Sequence, residues 1–328
     1  MRKTVHLCLS SHDEVMYRSE ADLRMGFNCL AIACLKTEAR LMAESEMTTH
    51  IHCLMQSDKY GETMHQARYS YARYFNSKYC RKGLLGERKY FALEIDGLHH
   101  TIAALDYVLR QGLHHGLSST PFEYPHCSAN AFFRKQLGKV DSPSQMIQGK
   151  RYLYLPGKNR LDNNKYRMSA DGLLLRQDIL DTAYVEELYV SPRTYLFHMN
   201  KISGEGDLQK QFDENGDKPV TVEAIEMGVP DFDATLTRSL EQGKVDRNRM
   251  TDLELCSIID RMLIPRLFKN AELVSIYLLS QSQRAKIYEV LWQECLSSRF
   301  RPARGGFLQG KYITSNQLER CLAMKYVK

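Results

Sequence analysis

Apolar and polar positions change period several times along the first third of the chain, and each change predicts an element. Val5–Leu9 alternates and reads as a strand. Glu20–Leu35 carries Leu23, Phe27, Leu30, Ala31 and Cys34 at helical spacing. Ala39–Ala43 and Thr49–Met55 read as two strands, joined as a hairpin through Glu44-Ser45-Glu46. Glu62–Cys80 reads as a helix ending before Gly83, and Tyr90–Ile95 as a further strand. Leu98–Gln111 then places Ile102, Leu105 and Leu109 on one face of a single helix. Strand, helix, strand, strand, helix, strand, helix predicts an α+β domain over 1–140, an antiparallel sheet of ferredoxin-like character with helices.

Beyond Asp141 the pattern weakens. Pro156-Gly157-Lys158-Asn159-Arg160 is a turn-rich basic loop that lacks the glycine spacing of a phosphate-binding loop. Gly204-Glu205-Gly206-Asp207 and Asp213-Glu214-Asn215-Gly216-Asp217 are acidic but do not match a calcium-binding loop, so 141–250 is expected to be an irregular, partly acidic connector. Helical periodicity returns in 251–328. Leu253–Ile264 is expected to end at Pro265, Ala285–Cys295 follows, and Ser315–Met324 has a Thr or Ser, Thr314 or Ser315, as candidate N-cap. Short helices with Arg299, Arg301, Arg304 and Lys311 between them fit either a helix-turn-helix-like DNA reader or a plain helical bundle.

Two spacings carry chemistry. His50 and His52 are i and i+2 on the third strand, so both imidazoles share a face while Ile51 and Cys53 point into the core. Tyr107 and Gln111 are i and i+4 on a helix and share a face. Two neutral imidazoles and an amide oxygen can hold a divalent cation without cancelling its charge. A phosphate can then take the open positions, with a tyrosine hydroxyl nearby as nucleophile. Either histidine alone would more often be structural, and the ordered set is what carries weight.

Composition narrows the setting. The 328 residues allow two domains, and 43% hydrophobic content suffices for a packed core, with no apolar run long enough to cross a membrane. The start of the chain reads as a strand and not as a signal peptide. Nine scattered cysteines give neither a disulfide framework nor a zinc motif, which makes reduced cytosol the expected setting. The net charge of +6 is modest. Its distribution is more telling, because Thr63 to Gly86 has no acidic residue. There Arg68, Arg73, Lys78, Arg81 and Lys82 interleave with Tyr69, Tyr71, Tyr74, Phe75 and Tyr79. Cations neutralise phosphates and aromatic faces stack on unpaired bases, so Arg68, Tyr71, Arg73, Tyr74, Lys78, Arg81 and Lys82, with Arg301 and Arg304, are the candidate DNA contacts. An amphipathic helix with aromatic core and solvated charges explains the same run.

The stretch from about Lys3 to Phe133 resembles the single-tyrosine HUH transposases, most closely the REP-associated tyrosine transposases. His50-Ile51-His52 matches the family's His-hydrophobic-His strand, and Tyr107 with Gln111 matches its later helix. Ser70-Tyr71-Ala72-Arg73-Tyr74-Phe75-Asn76 resembles its aromatic-basic helix, and His114 to Leu117 with Tyr124 to Ser128 its usual close. This chain has Gln111-Gly112 where the family often has Asn-Pro, and Thr48-Thr49 where it has Pro-Asn. The resemblance implies a single-stranded DNA endonuclease and strand transferase acting on hairpins through a 5′-phosphotyrosine at Tyr107. It implies Mg2+ or Mn2+ held by His50, His52 and Gln111, in a cytoplasmic, nucleoid-associated monomer or homodimer. A relaxase or replication initiator shares that chemistry, and a domesticated DNA-binding regulator would keep the fold without cutting. His114 and His115 are candidates for phosphate contact. Past Asp141 no catalytic constellation is recognisable, so the second half is expected to add affinity or target choice.

Overall fold

Four strands pair antiparallel in the order β2-β3-β1-β4, and the computed structural model describes residues 2–140, 144–146, 165–200, 247–268, 275–298 and 306–325. The strands are β1 (Lys3–Ser10), β2 (Arg40–Glu46), β3 (His50–Ser57) and β4 (Phe91–Ile95). Between them run α1 (Glu20–Thr37) and α2 (Tyr60–Tyr79), and α3 (Leu98–Leu109) follows β4. This βαββαβ order is the ferredoxin-like arrangement, and it places the two histidine-bearing strands, β1 and β3, side by side at the centre.

The alternation along β1 and β3 buries both faces of the sheet. Val5, Leu7, Ile51 and Cys53 share one face, where α1 and α2 pack side by side and the Cys34 thiol of α1 lies near that of Cys53. His6, Cys8, His50 and His52 share the other face, which α3 covers. Leu7, Leu23, Phe27, Phe75, Leu105 and Val108 are fully buried in one continuous core. Each such side chain contributes about 2 kcal/mol of hydrophobic stabilisation.

The β2–β3 hairpin differs from the expectation. Glu44, Ser45 and Glu46 belong to β2, and the chain reverses over Thr48-Thr49, with Met47 N–H donating to His50 O at 2.8 Å. The carboxylates remain in the strand because Arg176 forms ion pairs with both Glu44 and Glu46 from outside the sheet. Ion pairing offsets what burial of two acids would otherwise cost.

Part of the expected connector is ordered and packed. Arg176–Ile179, Thr182–Tyr189 and Pro192–Asn200 are helices whose Val185, Tyr189, Tyr195 and Met199 join the first core. Their apolar positions recur at helical spacing within a polar stretch, which composition alone conceals. Residues 147–164 and 201–246, including the basic and acidic loops, lie outside the described residues.

A second core gathers Leu255, Ile259, Leu263, Ile287, Leu291, Leu318 and Leu322. Asp252–Ile258 opens with a capping box from Thr251 and Glu254. Pro265 does not end this helix. A π-helical turn at Ile259–Leu263 precedes the proline, and the backbone stays helical into Ile264–Leu267, so the missing Pro265 N–H falls just after the turn where the hydrogen-bond register shifts. Gln281–Ser298 and Ser315–Cys321 complete the unit, and the Thr314 hydroxyl accepts the Gln317 N–H as an N-cap.

The second core is fastened to the first by polar contacts from the loop after β1. The Arg18 guanidinium is fully enclosed and donates to both oxygens of Asp260 and to Cys321 O. Glu14 pairs with Arg81 and accepts from Tyr277 at 2.8 Å. Among the described residues no helix is long and apolar enough to cross a membrane, and all nine cysteines are free thiols.

Candidate active site

Strand register assembles the first part of the site. Cys8 lies opposite His52 in the β1–β3 pair, so the side chain two residues back, His6, projects from the same face. His6 Nε2 is 3.0 Å from His52 Nδ1, and the two rings stack at 5.2 Å with 17° between planes. The other ring nitrogen of His52, Nε2, has only a 4.0 Å contact with the Cys8 thiol. His50 Nδ1 lies 3.0 Å from the Thr49 hydroxyl.

Helix α3 brings the tyrosine. The Tyr107 ring meets His52 edge-on at 5.3 Å and His6 at 6.0 Å, and its hydroxyl is buried among them. The preceding residue, Asp106, accepts from Tyr189 Oη at 2.7 Å and lies 2.7 Å from His198 Nδ1, which ties α3 to the two helices behind it. Tyr107 and Gln111 are not on one unbroken helix. Arg110, at φ −100 and ψ 9, separates α3 from the short α4 (Gln111–His114). The i, i+4 relation survives the break, because Gln111 Nε2 donates to Tyr107 O at 3.1 Å. The Gln111 amide lies beside the His50 imidazole, and the His115 ring is 4.9 Å from the other flank of His50. His114 stands edge-on to Tyr107 at 5.9 Å.

The pocket is dry. His50 is 1% exposed, and His52, His6 and Gln111 are fully buried. Burial penalises the imidazolium form and pushes His6 and His50 down to about 3. Burial and repulsion from the neighbouring rings hold His52 well below the usual range for histidine, and burial, the rings His50 and His114, Arg249 and Arg320 do the same to His115. His6, His50, His52 and His115 are therefore neutral at pH 7, and each offers a lone pair.

The donor set suits a divalent cation by its own chemistry. His50 Nε2 and Gln111 Oε1 are buried without hydrogen-bond geometry to any described group, and His52 Nε2 meets only a distant thiol. Unsatisfied buried acceptors of this kind are costly unless something completes them, and two imidazoles with an amide oxygen fit a divalent ion. Among the described residues no three His, Cys, Asp or Glu side chains converge as a metal site, so the amide and any ligand oxygens must complete the set.

The aromatic-basic run forms α2, on the sheet face opposite the histidines. Several of its groups are committed internally. Tyr71 is core and donates to Met16 O at 2.7 Å; Tyr74 and Lys78 both bind Asp22. Arg68 donates to the carbonyls of Leu85 through Arg88, and Arg81 is buried against Glu14. Base stacking by Tyr71 or phosphate contact by Arg81 would require dismantling the core. Arg73, stacked at 5.7 Å on Tyr69, and Lys82 lie exposed. Arg301 and Arg304 lie outside the described residues, and Lys311 pairs with Glu254 at 2.5 Å.

Sequence reasoning missed His6. The alternation Val5-His6-Leu7-Cys8 marks His6 as facing one side of a strand, but only the β1–β3 register shows that this is the side of His52.

No protein-family model and no curated protein matches the chain. Among solved structures it is similar to a REP-associated tyrosine transposase bound to a REP hairpin, at 12% identity and a TM-score of 0.35. The likeness covers 43% of this chain and 82% of that one.

Proposed function

We propose that this chain is a metal-dependent single-strand DNA endonuclease and strand transferase of the HUH type, with Tyr107 as nucleophile. The observation that carries the reading is convergence. His50 and His52 from β3, Gln111 from α4 and Tyr107 from α3 meet in one buried site, although more than fifty positions separate His52 from Tyr107 along the chain. Mg2+ or Mn2+, bound by His50, His52 and Gln111, would supply charge neutralisation at the scissile phosphate.

The remaining chemistry belongs to the chain. The Tyr107 oxygen forms a bond to phosphorus as the bond from phosphorus to the 3′ oxygen breaks. This gives a 5′-phosphotyrosine and a free 3′-hydroxyl, and the tyrosine proton is passed on to the leaving oxygen through the pocket. Attack by another 3′-hydroxyl reverses the step and rejoins strands. His6 holds His52 in one tautomer, as outer partners of metal-binding histidines do. Asp106, anchored by Tyr189 and His198, keeps α3 in register over the histidines.

The test is incubation with single-stranded hairpin oligonucleotides and Mg2+ or Mn2+, with covalent adducts read on a denaturing gel. Wild-type protein should give an adduct. Tyr107→Phe should reduce it to background while binding persists, since Phe keeps the ring packing. An adduct of unchanged yield in Tyr107→Phe would move the nucleophile elsewhere. The near-complete burial of the histidines favours a second reading, a DNA-binding regulator whose pocket stays shut. Hairpin binding without any adduct in either metal would select it.

A further inference from the structure

The hairpin that leads into His50 is held by the C-terminal helical unit. Thr48 Oγ1 donates to Asp252 Oδ2 at 2.7 Å. Asp252 also accepts from Gln317 Nε2 at 2.8 Å and lies 4.0 Å from the Arg320 guanidinium, which is 13% exposed. The backbone strap 248–250 is fixed beside this group, with Met250 N–H donating to Tyr312 O at 3.0 Å and Tyr312 N–H to Asn248 O at 2.9 Å. Arg249 on that strap is partly buried and has no ion-pair partner among the described residues.

Through the Thr48–Asp252 contact and the 248–250 strap, both cations lie within electrostatic reach of the histidines. Arg249 and Arg320 act electrostatically on His115, and Arg320 on His50. No carboxylate is among the groups acting on His50, His52 or His115, and Asp252 is already shared by Thr48, Gln317 and Arg320. Positive charge thus collects beside a buried site whose His50, His52 and His115 rings are neutral. A partly buried guanidinium without a counter-charge is unfavourable, and an anion entering the pocket relieves it. A planar guanidinium fork matches the geometry of phosphate oxygens.

We propose that Arg249 and Arg320 are a phosphate-binding pair completing the histidine pocket, holding a DNA phosphodiester against Tyr107. The proposal deepens the nuclease reading and rests on it. It gives the second half of the chain a place at the site, where its sequence shows no catalytic pattern.

The experiment uses full-length protein and a fluorescein-labelled single-stranded oligothymidine in EDTA, with anisotropy measured over a range of salt. Arg249→Gln and Arg320→Gln should each bind about tenfold more weakly. Each should also flatten the plot of log affinity against log salt by about 0.7, the contribution of one lost phosphate contact on a single strand. Arg320→Lys should keep the slope and lose part of the affinity, because a point charge replaces the fork. Mn2+ binding without DNA should not weaken in any variant, whereas general damage to the pocket would weaken it. Arg320→Gln loses its contact with Asp252 and could unfold; Arg249→Gln breaks no ion pair and then carries the test alone.

Variants that melt like wild type and bind with unaltered affinity and slope overturn the proposal. Arginine-dependent binding by a protein that forms no adduct with any hairpin supports the phosphate pair and removes the nuclease reading. Equal adduct yield and equal DNA affinity in the double variant do the reverse.

Discussion

Gly112→Ala tests whether packing behind the site dictates the residue that follows Gln111. Gly112 is buried in α4, and a Cβ placed there would lie 2.4 Å from Tyr124 Cβ, 2.5 Å from Cγ and 2.9 Å from Cδ1. Tyr124 cannot rotate away, because its Cβ is fixed by its own backbone and its hydroxyl donates to Glu46 O at 2.6 Å. Two effects oppose each other. Alanine gains about 1 kcal/mol over glycine inside a helix. Overpacking costs about 1–3 kcal/mol in an ordinary core and more when the obstructing atom cannot move. With contacts a full ångström short of van der Waals distance, the clash should win, leaving a net destabilisation of about 1–3 kcal/mol. Urea unfolding followed by circular dichroism should show a lower midpoint with an unchanged slope. Because α4 must shift, Gln111 should also move off His50, and Mn2+ affinity should fall with the midpoint. Stability equal to or above wild type would refute the reasoning, showing that the Tyr124 segment yields and that propensity decides this position.

Stability should depend on pH through the buried histidines. His6 and His50 titrate near 3 when folded and near about 6.5 when unfolded, so below about 6.5 the unfolded chain binds more protons. Their contribution is complete above that pH and is lost as pH falls toward 3, by up to about 1.4 kcal/mol per pH unit for each ring. A melting temperature that stays flat between about pH 7 and 4 would contradict this, and His6→Gln should reduce the slope. Arg81→Met should cost about 3–5 kcal/mol in urea unfolding by leaving Glu14 buried without its partner. Replacing both Arg81 and Glu14 by apolar residues should cost less than that single change, and a larger loss in the double variant would count against the account.

The sequence by itself determined the local elements of the first domain and the pairs whose geometry is local. Alternation in β1, β3 and β4 and the helical spacing of α1, α2 and α3 are written in adjacent residues, because each period is a property of a single element. His50 and His52 share a face for the same reason, and Tyr107 and Gln111 stay neighbours even though the helix breaks at Arg110. The position of the β2–β3 turn was not legible, since Glu44 and Glu46 read as turn residues until Arg176, far along the chain, pairs with Glu44 and burial beside Glu44 holds Glu46 toward its protonated form. The aromatic-basic run admits two readings from sequence, DNA contact and an amphipathic helix with an aromatic core. The fold divides it, sending Tyr71 and Phe75 inward and binding Lys78 and Arg81 to Asp22 and Glu14. His6 beside His52, Arg320 over the β2–β3 hairpin and the neutral state of the imidazoles were decided only by tertiary structure. Each depends on strand register, on docking between units or on exclusion of water, and these arise between residues that no sequence window holds together.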